Sequence, residues 1–213
     1  MSDAVKSATL NPKEERRLLR GHAWAYRNEF KQLPEAEDGE IVDVFAANRR
    51  FVGRGFYQKD GGIAVRILSR RQEDIDRAWL NERVAQALAF RQRLFPTGDV
   101  YRWIFGESDG LPGLVADRYG AVVSAQTACA FYAQRVEELS EIFLAQPGVS
   151  GVVLERAGRP QRFGEVPDTV ECLIDGVKAG FSLDYVFRCH CSGVCLLCEL
   201  RVNQKRRSHD AWH

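Results

Sequence analysis

Between residues 40 and 68 the chain alternates short β-branched and aromatic runs with turn residues, and this punctuation constrains the fold more than any other feature. The runs occupy 40–46, 51–57 and 63–68, and they are separated by residues such as Asn48 and by Asp60-Gly61-Gly62. Val, Ile and Phe suit a pleated, half-buried surface, whereas Asn, Asp and Gly reverse the chain at little steric cost. Ahead of them, residues 13–20 (KEERRLLR) read as a short charged helix with Leu18 and Leu19 on its inner side. Asn11-Pro12 would cap it and Gly21 would end it. Short strands at this spacing plus one helix predict a compact barrel.

From 73 to 95 the pattern becomes helical, with Ile75, Trp79, Val84, Leu88 and Phe95 near a three- to four-residue period and Pro96-Thr97-Gly98 at its close. A second α/β unit follows. Residues 100–105 and 121–127 read as strands, 131–144 as an amphipathic helix, 151–155 as a buried strand and 169–174 as another. Between the first two strands lies GESDGLPGLVADRYG, residues 106–120. Its first eight residues hold too many glycines for a helix, so a tight structured turn is expected, with Gly110 and Gly113 at positive φ and Pro112 fixing the chain between them. Asp109, Asp117 and Arg118 could do more, such as contact RNA or a further domain. The alternating-ligand spacing of a calcium loop is absent.

A chain of 213 residues can bury a sizeable core as one domain or two small ones. No stretch approaches the roughly 20 apolar residues of a membrane span, and MSDAVKSATL lacks the apolar core of a secretory signal. A cytoplasmic protein is expected. Cys129 and Cys172 stand alone and read as small buried apolar residues. The formal net charge of +1 hides a gradient: residues 1–71 carry 14 Lys/Arg against 10 Asp/Glu, and residues 72–213 carry 16 against 19. The first segment is therefore the better candidate for a polyanion contact, although so small an excess does not decide it. In it, His22, Trp24, Tyr26 and Arg27 combine with Arg54, Tyr57, Arg66, Arg70 and Arg71 to interleave aromatic rings with guanidinium groups. That mixture suits single-stranded or looped RNA, whose bases stack on rings while Arg bridges phosphates. Trp24 and Tyr26 could equally fill the barrel core.

GHAWAYRNEF at 21–30, GRGFYQKDGGIAVRILSRRQEDID at 53–76 and the 106–120 motif occur in one order. Together they resemble the N-terminal half of the bacterial ribosomal RNA large subunit methyltransferase I family. Those enzymes use S-adenosylmethionine (SAM) to make 5-methylcytosine in large-subunit rRNA. The resemblance runs from about Leu10 to about Asp184. It implies an α+β chain: a PUA-like RNA-binding pseudo-barrel over 1–72, a strand-strand-helix-strand-strand linker domain over 73–175, and the start of a methyltransferase domain over 176–213. The catalytic Rossmann-like domain is expected to be missing.

GVKAGFSLD at 176–184 is similar to the family's GQKTGFFLDQRxNR, which helps shape the SAM pocket. Lys178, Gly180, Phe181 and Asp184 match and are the implied cofactor-binding residues, whereas Val177, Ala179, Ser182 and Tyr185-Val186 depart from the motif. No glycine-rich strand-to-helix turn follows, so the pocket reads as vestigial and the chain as binding no SAM by itself. The tail holds Cys189, Cys191, Cys195, Cys198, His190, His209 and His213, soft donors in number but without a usual pair-to-pair spacing. It is read as a truncated or frame-shifted end without a metal site, with a zinc-stabilised interaction protein as one alternative. The resemblance implies the RNA-recognition portion of an rRNA methyltransferase, inactive alone. A free-standing PUA-type RNA-binding adaptor is the other reading. Large-subunit rRNA is the implied partner, with a homodimer left open.

Overall fold

The computed structural model describes residues 4–156, 159–174 and 177–182. Residues 6–69 wind into one sheet of six strands: β1 (Lys6–Leu10), β2 (Trp24–Tyr26), β3 (Phe30–Gln32), β4 (Ile41–Phe45), β5 (Phe51–Tyr57) and β6 (Ile63–Ser69). Their order is β2-β6-β5-β4-β1-β3, and all pairings are antiparallel except β1 with β4. The two edge strands, β2 and β3, are joined by one short 3-10 turn, Arg27–Glu29. Opposite edges so tethered must meet, and the sheet therefore curls into a barrel. Leu10, Ala25, Val42, Val44, Val52, Val65 and Ile67 fill it, and Leu18 of helix α1 (Glu15–Leu19) joins them. Leu19 is exposed, contrary to expectation, because a five-residue helix offers the core a single position. Its N-cap is Glu14 rather than the Asn11-Pro12 pair.

Helix α2 (Arg77–Leu94) begins four residues later than expected, where the Asp76 side chain accepts the Trp79 backbone N–H at 2.9 Å. It buries Trp79, Leu80, Val84, Ala87 and Leu88, while Phe95 lies outside the core and stacks on Tyr101 with centroids 5.8 Å apart. The second sheet follows in the order β11-β10-β9-β8-β7, from β7 (Val100–Phe105), β8 (Leu114–Tyr119), β9 (Val122–Thr127), β10 (Gly151–Arg156) and β11 (Arg159–Gly164). Only β9 and β10 run parallel. The crossover between them is the expected helix broken in two, α3 (Ala130–Ala133) and α4 (Val136–Leu144). Strands β8 and β11 are additional to the sequence reading. Residues 169–174 form β12, as expected, but its antiparallel partner is β13 (Val177–Ser182) rather than the main sheet.

Helices α2 and α4 contribute to one core with Trp103, Ile104, Ala116, Val123, Val152 and Leu154 of the sheet. Phe56 and Leu68 of the barrel belong to that same core. Phe56 stacks on Phe131 with centroids 5.0 Å apart and planes 4° from parallel, so apolar packing runs through the junction. No helix among the described residues is long and apolar enough to cross a membrane.

Candidate nucleic-acid interface

The β2–β6 edge of the barrel presents aromatic and cationic side chains outward. In β2 the small Ala25 points into the barrel, which turns Trp24 and Tyr26 to the opposite face, half-buried. The alternative that these rings fill the core is thereby corrected. Trp24 stands opposite Arg66, whose guanidinium lies 5.4 Å from the indole centroid. Both converge on one oxygen: Glu107 Oε1 accepts from Trp24 Nε1 at 2.6 Å and from Arg66 at 2.9 Å, while Arg66 Nε donates to Gln58 Oε1 at 2.7 Å.

His22 is exposed and meets the Trp24 ring edge-on at 5.8 Å. Its Nδ1 accepts the Trp24 backbone N–H at 3.2 Å. Beside it, Arg17 reaches the His22 ring at 2.8 Å, donates to the Trp24 carbonyl at 3.0 Å and to Glu29 at 2.6 Å, and covers Tyr26 at 4.8 Å. Arg17 was not among the sequence candidates, because nothing in KEERRLLR separates it from its charged neighbours. Arg70 donates to the His22 carbonyl at 2.8 Å, and Arg70 and Arg71 are both exposed.

Three candidates are committed elsewhere. Arg54 is buried and grips Asp43, its cross-strand partner, at 2.7 and 3.0 Å while donating to the Glu73 carbonyl at 2.7 Å. Arg27 donates to the carbonyls of Gln58, Lys59 and Gly61 at 2.5, 2.8 and 3.2 Å and so closes the β5–β6 turn. Tyr57 is buried in the barrel core. Desolvation would oppose bringing these groups to a nucleic acid.

The glycine-rich motif turns as expected, but its first four residues, Gly106–Asp109, form a short 3-10 helix that the glycine content argued against, ended by left-handed Gly110. Gly110 and Gly113 have φ of +73° and +85°. Asp109 accepts the Phe105 N–H and the Arg91 guanidinium, each at 2.6 Å. Arg102 donates to Asp117 at 2.6 Å, and Arg118 donates to the carbonyls of Gly120, Pro147 and Gly148. The motif's link to the barrel is Glu107, a residue that the sequence reading did not single out. Behind the turn, burial pushes the Cys129 thiol up and the Tyr132 phenol well up.

Next to Glu107 opens a cleft of about 540 Å³ whose lining includes Phe105, Ser108, Gln126, Thr127 and Glu155. Of the implied cofactor residues, Lys178 and Gly180 are exposed on β13, Phe181 lies on the same strand, and Asp184 falls outside the described residues. The β9-to-β10 crossover enters α3 through Ala128-Cys129, with no glycine at that turn. That crossover therefore lacks the glycine-rich turn of a dinucleotide-binding motif. The Cys- and His-rich tail also lies outside the described residues.

Residues 8–70 match a PUA-like domain family. The chain is similar to the ribosomal RNA large subunit methyltransferase I of Alteromonas mediterranea, with 37% identity over 121 residues that cover 55% of this chain and 30% of that protein. It is also similar to the ribosomal RNA large subunit methyltransferase of Deinococcus radiodurans, with 34% identity over 194 residues that cover 87% of this chain and 47% of that one. Among solved structures, a protein described as a SAM-dependent methyltransferase from Streptococcus mutans superposes with a TM-score of 0.71 at 17% identity, over 84% of this chain and 48% of that one. Another, described as a methyltransferase complexed with S-adenosylhomocysteine, gives 0.72 at 17% identity, over the same shares. These two establish likeness of fold. The chain spans about half the length, or less, of the curated relatives it matches.

Proposed function

We propose that this chain, which is similar to about half the length, or less, of curated ribosomal RNA large subunit methyltransferases and carries a PUA-like domain match, is the N-terminal, RNA-recognition portion of a SAM-dependent rRNA (cytosine-C5) methyltransferase. The observation that carries this reading is the outward-facing cluster of Trp24, His22, Arg66 and Arg70 on a PUA-like barrel, with Arg71 exposed next to it in the chain. Guanidinium groups at such an edge neutralise phosphates, and an aromatic ring beside them offers a stacking platform. Arg17 holds the His22 ring and the Trp24 backbone in place. In this reading the 213 residues supply recognition and do not transfer methyl groups alone, a reading supported by the departures at Val177, Ala179 and Ser182 from the family motif that shapes the SAM pocket. The alternative of a free-standing RNA-binding adaptor shares the same interface and differs only in what the chain serves.

The test is fluorescence anisotropy of the 213-residue chain with a labelled large-subunit rRNA fragment, alongside calorimetry with SAM. Binding should weaken steeply with salt, and Arg70→Ala with Arg71→Ala should cost about 1–3 kcal/mol and flatten the salt dependence. No RNA binding at low salt would refute the recognition role. Tight SAM binding or methyl transfer by the isolated chain would refute the division of labour.

A further inference from the structure

We propose that the cleft beside Glu107 takes a single unstacked nucleobase of RNA, stacked on Phe105 and read through its exocyclic amine. This rests on the RNA-binding reading above and adds to it where a base, rather than the phosphate backbone, is held.

The floor of the cleft follows from strand register. Phe105 of β7 stands opposite Val115 of β8, Val115 opposite Gln126 of β9, and Gln126 opposite Glu155 of β10. Directly opposed residues share a face, so a ring, an aliphatic side chain, an amide and a carboxylate lie abreast. Phe105 is 55% exposed, more than any other large apolar side chain of the described residues. An open aromatic face costs solvation in the free protein, and the Arg102 guanidinium 5.4 Å from its centroid covers it only in part. A π-surface in the floor of a cleft with polar groups around it is what a planar heterocycle needs.

Charge selects which part of a nucleotide enters. The cleft's charged lining consists of carboxylates, Glu107 and Glu155, with no cation among the described lining residues. A phosphate would find no cationic partner among those lining residues. Cations stand at its border instead: Arg66 bonds Glu107 from the barrel side and Arg102 flanks Phe105. A strand whose phosphates follow the β2–β6 edge can therefore turn one base inward. Carboxylates accept hydrogen bonds and have capacity for more than one donor. Cytosine, adenine and guanine offer an exocyclic amine with two donor hydrogens, whereas uracil carries a carbonyl oxygen at that position and only its N3–H between two carbonyls as a donor, so cytosine should be preferred over uracil at equal ring size.

The experiment is anisotropy with fluorescein-labelled oligo(rC) and oligo(rU) of equal length, using the full 213-residue chain at fixed low salt. Oligo(rC) should bind more tightly by roughly 5-fold or more, one hydrogen-bonding group's worth of discrimination. Phe105→Ala should weaken oligo(rC) binding by roughly 5- to 150-fold, the range for loss of one stacked base, and leave the salt slope unchanged. Phe105→Tyr should retain binding. The paired change Arg70→Ala with Arg71→Ala should instead flatten the slope by about 1.4, two phosphate contacts on a single strand. Thermal melts check that each variant is folded, as expected for an exposed position. If the wild type binds RNA but Phe105→Ala binds equally well, or if rC and rU bind alike, the base site is overturned and RNA binding stands. If the wild type binds neither oligomer nor the rRNA fragment, both readings fall.

Discussion

Replacing Gly113 with alanine separates two costs that sequence alone would merge. Gly110 and Gly113 both hold positive φ, +73° and +85°. A Cβ in the left-handed region costs about 1–2 kcal/mol, and the narrower unfolded ensemble of alanine returns about 0.4–1 kcal/mol. At Gly110 nothing lies within 4 Å of the added Cβ, so Gly110→Ala should cost on the order of 1 kcal/mol from backbone strain alone. At Gly113 the new methyl would stand 2.4 Å from Cys129 Sγ and 3.5 Å from Cys129 Cβ. That thiol is buried in the second core and has little room to retreat, so overpacking adds about 1–3 kcal/mol. Gly113→Ala should therefore cost about 2–4 kcal/mol. Cys129→Ala removes the sulfur and leaves an ordinary contact, so the double variant should recover the overpacking cost, with a coupling energy of about 1–3 kcal/mol. Urea unfolding of the four proteins, with a common slope, measures it. A Gly113→Ala cost no larger than that of Gly110→Ala, or a coupling of zero, would refute the packing assigned to this turn.

Two further outcomes concern titration. The Ser69 hydroxyl donates to Glu73 and, with help from the Trp79 indole and against desolvation, holds its carboxyl below the ordinary value. A depressed carboxyl contributes stability above its unfolded pKa of roughly 4.3 and loses it as pH falls through the folded value, so the urea midpoint should drop more between pH 5 and 3 in wild type than in Glu73→Gln. Equal drops would remove Glu73 from the acid response. Burial, with the nearby Asp99 charge, pushes the Cys172 thiol up to about 12. Iodoacetamide at pH 8 should leave it unlabelled in the folded chain and alkylate it in urea, by peptide mapping, and rapid native labelling would contradict its burial.

What was legible in the sequence were strands that carry their own pattern and their own stops. Residues 51–57, 100–105 and 169–174 are bounded by turn residues and coincide with β5, β7 and β12. The edge strands β2 and β3 have three residues each, too few for a period, and exist because barrel closure supplies their partners. Strand β8 was hidden inside a motif whose glycines dominate the reading. The RNA-facing candidates divided on register. Asp43 opposite Arg54 becomes visible as a pair only once β4 and β5 are aligned, and Arg27 closes a turn that sequence places far from it. Trp24 and Tyr26 had two possible phases, and the small Ala25 between them took the interior.

Glu107 explains why a motif between two strands of the second sheet bears on a surface of the barrel. Its carboxylate is 37% exposed, so its ion pair with Arg66 contributes little to stability. Its contribution is positional. One oxygen holds the indole N–H of Trp24 and the guanidinium of Arg66, residues 83 and 41 positions away in the chain, and so fixes the ring plane and the charge beside it. Rotamers settled before a ligand arrives are not lost on binding, which is the main advantage of preorganised sites. The same residue lines the neighbouring cleft. The stacked Phe56 and Phe131 hold the barrel and the second sheet through a shared core, so the spacing between the cationic edge and Phe105 is a property of the fold rather than of a hinge. In the proposed reading, a strand of RNA held at the edge would meet the cleft at a set distance along its backbone.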